Sequence, residues 1–213
     1  MADEKNLEPE TAEPEIVDGE ESEAAGGAQK PKDPLLKLAA DLFDIAELFV
    51  YCAAVILLVF TFVIRPTVVD GPSMEDTLLD GDYLLVTSTP YTPKQGDIVI
   101  AQNVGLYYYK DPIVKRVIAT EGQVLDIDFD TWTVTVDGVV LDEPYMKLTA
   151  DDRRTSDWDF PVTIPEGYVF VMGDNRNHSA DSRSKDIGLM DERCIVGRAV
   201  LRVFPFDRFT VFD

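Results

Sequence analysis

Leu48 to Ile64 is a run of seventeen residues without a charge, at the short end of the ~17–25 that a helix needs to span a bilayer. Its apolar residues occupy every helical face, which argues against a core helix with one buried stripe. The run is too long and begins too far along the chain for the apolar region of a cleaved leader, and no small-x-small site follows it. The expectation is a retained anchor: one transmembrane helix within residues 34–64. Lys30, Lys32 and Lys37 precede the run and only Arg65 closely follows. The positive-inside rule therefore puts the N-terminus in the cytoplasm and residues 65–213 outside, as a single-pass protein of the cell membrane in contact with lipid.

Residues 1–33 carry eleven acids against three lysines and almost no large apolar side chains. Such a segment cannot bury a core and reads as a disordered acidic tail. The net charge of −21 divides as −8 for 1–33, −2 for 34–64 and −11 for 65–213. No part is basic, so phosphate-backbone neutralisation is implausible and nucleic acid is not an expected partner. Cys52 lies in the apolar run and Cys194 near the far end of the outer domain, so no disulfide is expected. His178 is the sole histidine and sits in a polar run. It reads as a solvated loop residue, and no metal site or cofactor is expected.

After Arg65 the chain reads as mostly β. Strand-like stretches fall at Tyr83–Val86, Asp97–Ala101, Leu106–Tyr109, Ile113–Ala119, Val124–Phe129, Trp132–Val136, Tyr168–Met172 and Ile195–Phe204, separated by Gly-Asp, Asp-Gly and proline-containing turns. Asp137-Gly138 supplies the two positive-φ residues of a tight hairpin. Thr149 to Asp159 is polar and without a period, so an exposed loop is expected. The simplest organisation of 65–213 is one β core, built from about 66–120 and 165–213, with a small inserted β lobe at about 121–164. Phe204, Phe206, Phe209 and Phe212 are expected to pack on that core.

Two places carry candidate chemistry. Ser73 lies nine residues beyond the apolar run, in Asp70-Gly71-Pro72-Ser73-Met74-Glu75-Asp76-Thr77-Leu78, and nine extended residues reach at most ~30 Å. Its ordinary explanation is a helix N-cap, since Ser-x-x-Asp suits a first turn. Backbone N–H groups at such a strand-to-helix corner also favour a developing oxyanion. Lys115-Arg116 sits between Pro112-Ile113-Val114 and Val117-Ile118-Ala119. Successive strand residues point to opposite faces, so with Arg116 solvated Lys115 faces inward. Burial lowers a lysine pKa; at ~10.4 about 0.04% is neutral at pH 7, and near ~8 about 10%. Ser179, Asp181 and Arg183 share one side of an extended chain, so Asp181 and Arg183 can pair while Ser179 reaches toward an inward lysine. A loop satisfied by its own Asx turns is the alternative.

Gly-Pro-Ser-Met-x-x-Thr-Leu at 71–78, Gly-Asp-Ile-Val at 96–99, Lys-Arg-Val at 115–117 and Gly-Asp-Asn-Arg-x-x-Ser-x-Asp-Ser-Arg at 173–183, behind an N-terminal anchor, together resemble bacterial type I signal peptidase over about residues 45–205. The resemblance implies a signal-peptidase-like β core and a membrane-bound serine endopeptidase. Its substrates would be signal-peptide-bearing preproteins with small residues at the minus-one and minus-three positions, bound by β-addition, and it would work alongside the secretion machinery. It further implies Ser73 as nucleophile and Lys115 as general base, with Ser179 orienting the amine, Asp181 and Arg183 as support, and Met74 bordering the substrate groove. The family's oxyanion hole uses the Ser73 N–H and the residue at 71; here that is Gly71, so a second donor is sought in the backbone. Family members often have proline where this chain has Asp76, and a carboxylate facing the site would favour a charged lysine. Self-cleaving repressors share a serine-lysine pair, but the spanning run argues against them. A membrane-anchored binding module in which Ser73 is only a cap is the non-enzymatic alternative.

Overall fold

The computed structural model describes residues 33–87, 91–102, 111–149 and 156–212. The acidic tail, the expected strand Leu106–Tyr109 and residues 150–155 of the expected loop lie outside these. The chain divides into two compact units, Met1–Leu48 and Phe49–Asp213. Helix α1 (Pro34–Phe62) has no buried residue, and its most apolar window has a mean hydropathy of 2.4. Its 29 residues, at ~1.5 Å each, reach about 43 Å, long and apolar enough to cross a membrane. Pro34 opens it, where no N–H is needed, and the Asp33 carboxylate accepts from Leu35 N at 3.1 Å. The apolar run outlasts the helix: Val63 is a turn and Ile64 already belongs to a strand. Pro66 disfavours helix at the residue before it.

The main sheet contains β1 (Ile64–Val68), β2 (Tyr83–Thr87), β3 (Ile98–Ala101), β4 (Ile113–Ala119), β9 (Tyr168–Met172), β10 (Met190–Asp191), β11 (Ile195–Phe204) and β12 (Thr210–Val211). Its order is β1-β2-β11-β3-β4-β9-β10, with β12 also on β11. A smaller sheet, ordered β7-β6-β5-β8, is formed by β5 (Val124–Asp128), β6 (Thr133–Val136), β7 (Val139–Val140) and β8 (Val162–Thr163). All of these pairings are antiparallel. The strands missing from the sequence reading have physical reasons to be missed. β1 contains Pro66, which an edge strand tolerates, and β7, β8, β10 and β12 are two residues each, too short to alternate. Asp137 (φ 51°) and Gly138 (φ 80°) form the hairpin turn. Trp132, read as a strand residue, instead has φ 57° and precedes β6.

β3 is buried on both faces, which is why it reads Ile-Val-Ile-Ala without alternation. Ile98 and Ile100 pack with Val69, Met74, Leu78, Leu84 and Val114, whereas Val99 and Ala101 pack with Val117, Val169 and Val171. A third cluster joins the two sheets: Ile118 and Phe170 meet Leu125, Ile127, Val134 and Ile164. The smaller sheet thus shares a core with the end of β4. One rank of directly opposed residues crosses the main sheet: Ile64, Thr87, Arg198, Val99 and Lys115.

The late aromatics depart from expectation. Phe206 is 81% exposed, Phe209 58% and Phe204 47%; only Phe212 packs against the core. They lie at and beyond the end of β11, where Tyr83 and Phe206 meet Phe204 edge-on at 5.7 and 5.6 Å. The buried residue there is Arg202, which donates to the fully buried Asp82. A methyl group on Gly197 would lie 1.7 Å from the Thr87 carbonyl oxygen. We therefore predict that Gly197→Ala destabilises the outer domain by about 3 kcal/mol, read as a lower urea midpoint of the detergent-solubilised chain.

Candidate active site

Ser73 stands on an excursion of the chain between Val69 and Asp82 whose ends are sewn together. Val69 N donates to Asp82 O at 2.8 Å and Gly81 N to Val69 O at 2.9 Å. The Asp82 carboxylate accepts from Leu79 N, Arg202 and Arg208, and Arg202 also donates to Thr77 O. No helix follows Ser73, contrary to the capping signature: residues 73–77 are turn, with one α-turn bond, Leu78 N to Met74 O. Long-range bonds and the burial of Met74 and Leu78 decide the path. Met74, expected at the substrate groove, is fully buried in the core beneath the loop.

Asn175 grips the loop from the other side, its N–H donating to Ser73 O and its Nδ2 to Pro72 O, both at 3.0 Å. A Cβ on Gly173 would fall 2.4 Å from Ser73 O and 2.3 Å from Ser179 Oγ, so only glycine admits this approach. Gly71, at φ 85°, shapes the turn before Pro72, but its N–H donates to Asp80 Oδ1 at 2.9 Å. The Gly71 N–H is therefore already engaged and is not available as the second donor sought in the backbone. Among the described residues the Ser73 N–H makes no hydrogen bond.

Lys115 is 4% exposed, and its Nζ donates to Ser73 Oγ at 2.8 Å and to Val114 O at 3.0 Å. Burial pulls its pKa from 10.5 down to about 8; the Asp181 carboxylate opposes this, Arg183 reinforces it and Asp174 opposes it. Arg116 is not solvated, as the alternation argument assumed. It is buried on the opposite face of β4, because β3 and β9 flank that strand and the chain at 143–147 covers it. It pairs in a fork with Asp174 at 2.8 and 2.6 Å, donates to Gly96 O and lies 3.8 Å from the Tyr145 ring centre.

Ser179, Asp181 and Arg183 are all buried. Arg183 donates to Asp181 at 2.7 and 2.8 Å and to Arg176 O at 2.8 Å. Asp181 also accepts from Gly173 N at 3.0 Å. Burial resists its charge, but Arg183 and the Ser179 hydroxyl outweigh that and hold its pKa below the usual range. Ser179 thus favours the charged form of Asp181, and it lies beside the glycine whose added Cβ would meet both Ser179 Oγ and Ser73 O. His178 is exposed, as expected.

Asp76 does not face the amine. It is exposed and accepts from Lys147 Nζ at 2.8 Å, with Glu75 3.4 Å from the same atom. Residues that reading the sequence did not single out include Lys147, Asn175, and Glu143, which forks onto the fully buried Arg176. Asn175 stood within a polar run, but its partner lies 103 residues away, and no local pattern signals that. The polar tail of the expected loop is also docked: Trp158 Nε1 donates to Ser182 O at 2.8 Å. A half-open cleft of about 290 Å³ opens over the pair, lined by Gly71, Pro72, Ser73, Ile113, Lys115 and Ala180 among others, with Asp70 and Asp111 also on its wall. A hydroxyl against a dehydrated amine, with a free backbone N–H beside it, suits nucleophilic attack on a carbonyl.

A family model described as signal peptidase, peptidase S26, matches residues 42–204. The chain is 34% identical over 183 residues to Signal peptidase I of Bacillus licheniformis, covering 81% of this chain and 94% of that protein. It is 36% identical over 162 residues to Signal peptidase I T of Bacillus subtilis (strain 168), covering 71% and 79%. A crystal structure of a signal peptidase I from Enterococcus faecalis V583 aligns with a TM-score of 0.42 at 25% identity, over 52% of this chain and 98% of that one.

We predict that the Lys115 amine, followed by NMR in lysine-labelled protein, titrates with a midpoint at about 8. A midpoint at the ordinary value of 10.5 would mean that burial is not felt.

Proposed function

The chain belongs to the signal peptidase family of peptidase S26, and from that premise we propose that Ser73 and Lys115 form the catalytic dyad of a membrane-bound signal peptidase. The protein is a serine protease that removes signal peptides from preproteins. The observation that carries the dyad is the 2.8 Å contact between Ser73 Oγ and the Lys115 amine, made where that amine is buried.

In its neutral form Lys115 accepts the Ser73 proton as Oγ attacks the scissile carbonyl carbon. The C–O bond forms, and the carbonyl electrons move to an oxyanion beside the Ser73 N–H. Collapse breaks the C–N bond, and the new ammonium gives its proton to the leaving amine. Water, deprotonated by the same amine, then releases the signal peptide from its ester. Asp181 and Arg183 hold the segment that carries Gly173 and Ser179 against this pair. Pro72, Ile113 and Ala180 give the cleft an apolar wall suited to small side chains at the minus-one position. Helix α1 serves as the anchor, with its N-terminal side cytoplasmic and the β domain outside, next to lipid and the secretion machinery.

We predict that Ser73→Ala and Lys115→Met each remove cleavage of a preprotein by at least ~10³-fold while leaving the urea midpoint nearly unchanged. Retained cleavage in either variant would remove the dyad. Because the charged amine is inactive, kcat/KM rises with pH and levels off above about 8. His178→Ala should leave that limb in place; a limb that vanished with His178 would assign the base elsewhere.

A further inference from the structure

Lys147 lies on the chain returning from the smaller sheet and touches the nucleophile loop from two sides. Its main chain forms a parallel bridge with Asn175: Lys147 N donates to Asp174 O at 2.8 Å, and Arg176 N donates to Lys147 O at 3.0 Å. Asn175 in turn holds the carbonyls of Pro72 and Ser73. The Lys147 side chain meets the loop on the other side of Ser73, its Nζ donating to Asp76 Oδ1 at 2.8 Å and Glu75 Oε2 at 3.4 Å. Asp76 and then Glu75 keep this ammonium charged, raising its pKa.

Among the described residues, Lys147 is the only side chain that bonds to residues 75 and 76. The rest of the loop is held at Pro72–Ser73 by Asn175 and at Thr77–Asp82 by Arg202 and Asp82. Apart from a bond within the loop, Glu75 N to Pro72 O at 3.2 Å, residues 75 and 76 have no other hydrogen-bonded tether among the described residues, and they follow the nucleophile by two residues. A proline at position 76 would restrict the backbone there without any partner. Asp76 N–H makes no hydrogen bond among the described residues, so a proline there would forfeit none.

We propose that Lys147 is a positioning residue for Ser73, and that its ion pairs with Glu75 and Asp76 supply electrostatically a restraint on this span that a proline ring could supply covalently. The proposal rests on Ser73 being the nucleophile. The Lys147 side chain is 32% exposed and that of Asp76 78%, so the pair adds little to global stability. Its effect falls on the placement of the Ser73 hydroxyl, where small displacements are costly to rate.

The test is steady-state cleavage of a preprotein by the full-length chain in detergent, with urea midpoints measured in parallel. Lys147→Met lowers kcat about tenfold, with KM and the urea midpoint little changed, and Lys147→Arg retains most of the rate. Adding Asp76→Pro to Lys147→Met restores kcat. Raising salt from ~0.1 to ~1 M slows the wild type but not that double variant. An unchanged kcat in Lys147→Met, a loss confined to KM, or no recovery on adding Asp76→Pro would each overturn the proposal. Ser73→Ala is run alongside: if it still cleaves, the dyad itself falls, a result separate from any difference among the Lys147 variants.

Discussion

Keeping water from its charged form is what brings an amine toward neutrality near pH 7, and in this protein that condition falls on Lys115. Central strand β4 is flanked by β3 and β9, and Lys115 on it keeps 4% of the exposure of a free residue. Dehydration alone costs an ammonium several kcal/mol, so the surroundings must not add a strong field of either sign. The neighbouring charges are accordingly matched: Arg116 with Asp174, Arg176 with Glu143, Arg183 with Asp181. Each arginine lies within a buried or nearly buried pair, and breaking one would leave a charge without compensation, at about 3–5 kcal/mol.

The same pairs organise the chain. Asp174 fixes the start of the 173–183 segment to β4, Arg183 closes it onto the Arg176 carbonyl, and Asn175 between them reaches the Ser73 loop. Serine and lysine are 42 residues apart in sequence, and neither is brought to the other by local structure. They meet because a third stretch, a further 60 or so residues on, holds the carbonyl side of the serine. Gly173 is the tightest point of that assembly, since the space of one methyl group is already taken by Ser73 and Ser179.

Much of this was legible in the residues themselves. Ile113–Ala119 and Tyr168–Met172 are strands with the bounds their apolar runs indicate, and alternation turned Lys115 toward the interior. Alternation assigns faces but does not say which faces are covered, so the solvation of Arg116 on which that argument was conditioned does not hold: both sides of β4 are buried. Ser73 with Asp76 carries a sound capping signature, yet Val69, Gly81, Asp82 and Asn175 impose a turn, because tertiary hydrogen bonds outweigh a first-turn preference of about 1 kcal/mol. Asp76 carried a worry about the base that only its distant partner, Lys147, removes. Partners 70 to 100 residues away leave no periodic trace.

The rank of opposed residues from Ile64 to Lys115 spans four strand spacings, roughly 19 Å along the sheet. Every step is closed by backbone hydrogen bonds, so the interval is built into the scaffold. Substitutions in the loops around Ser73 can therefore change what meets Lys115 without changing how far that lysine stands from β1.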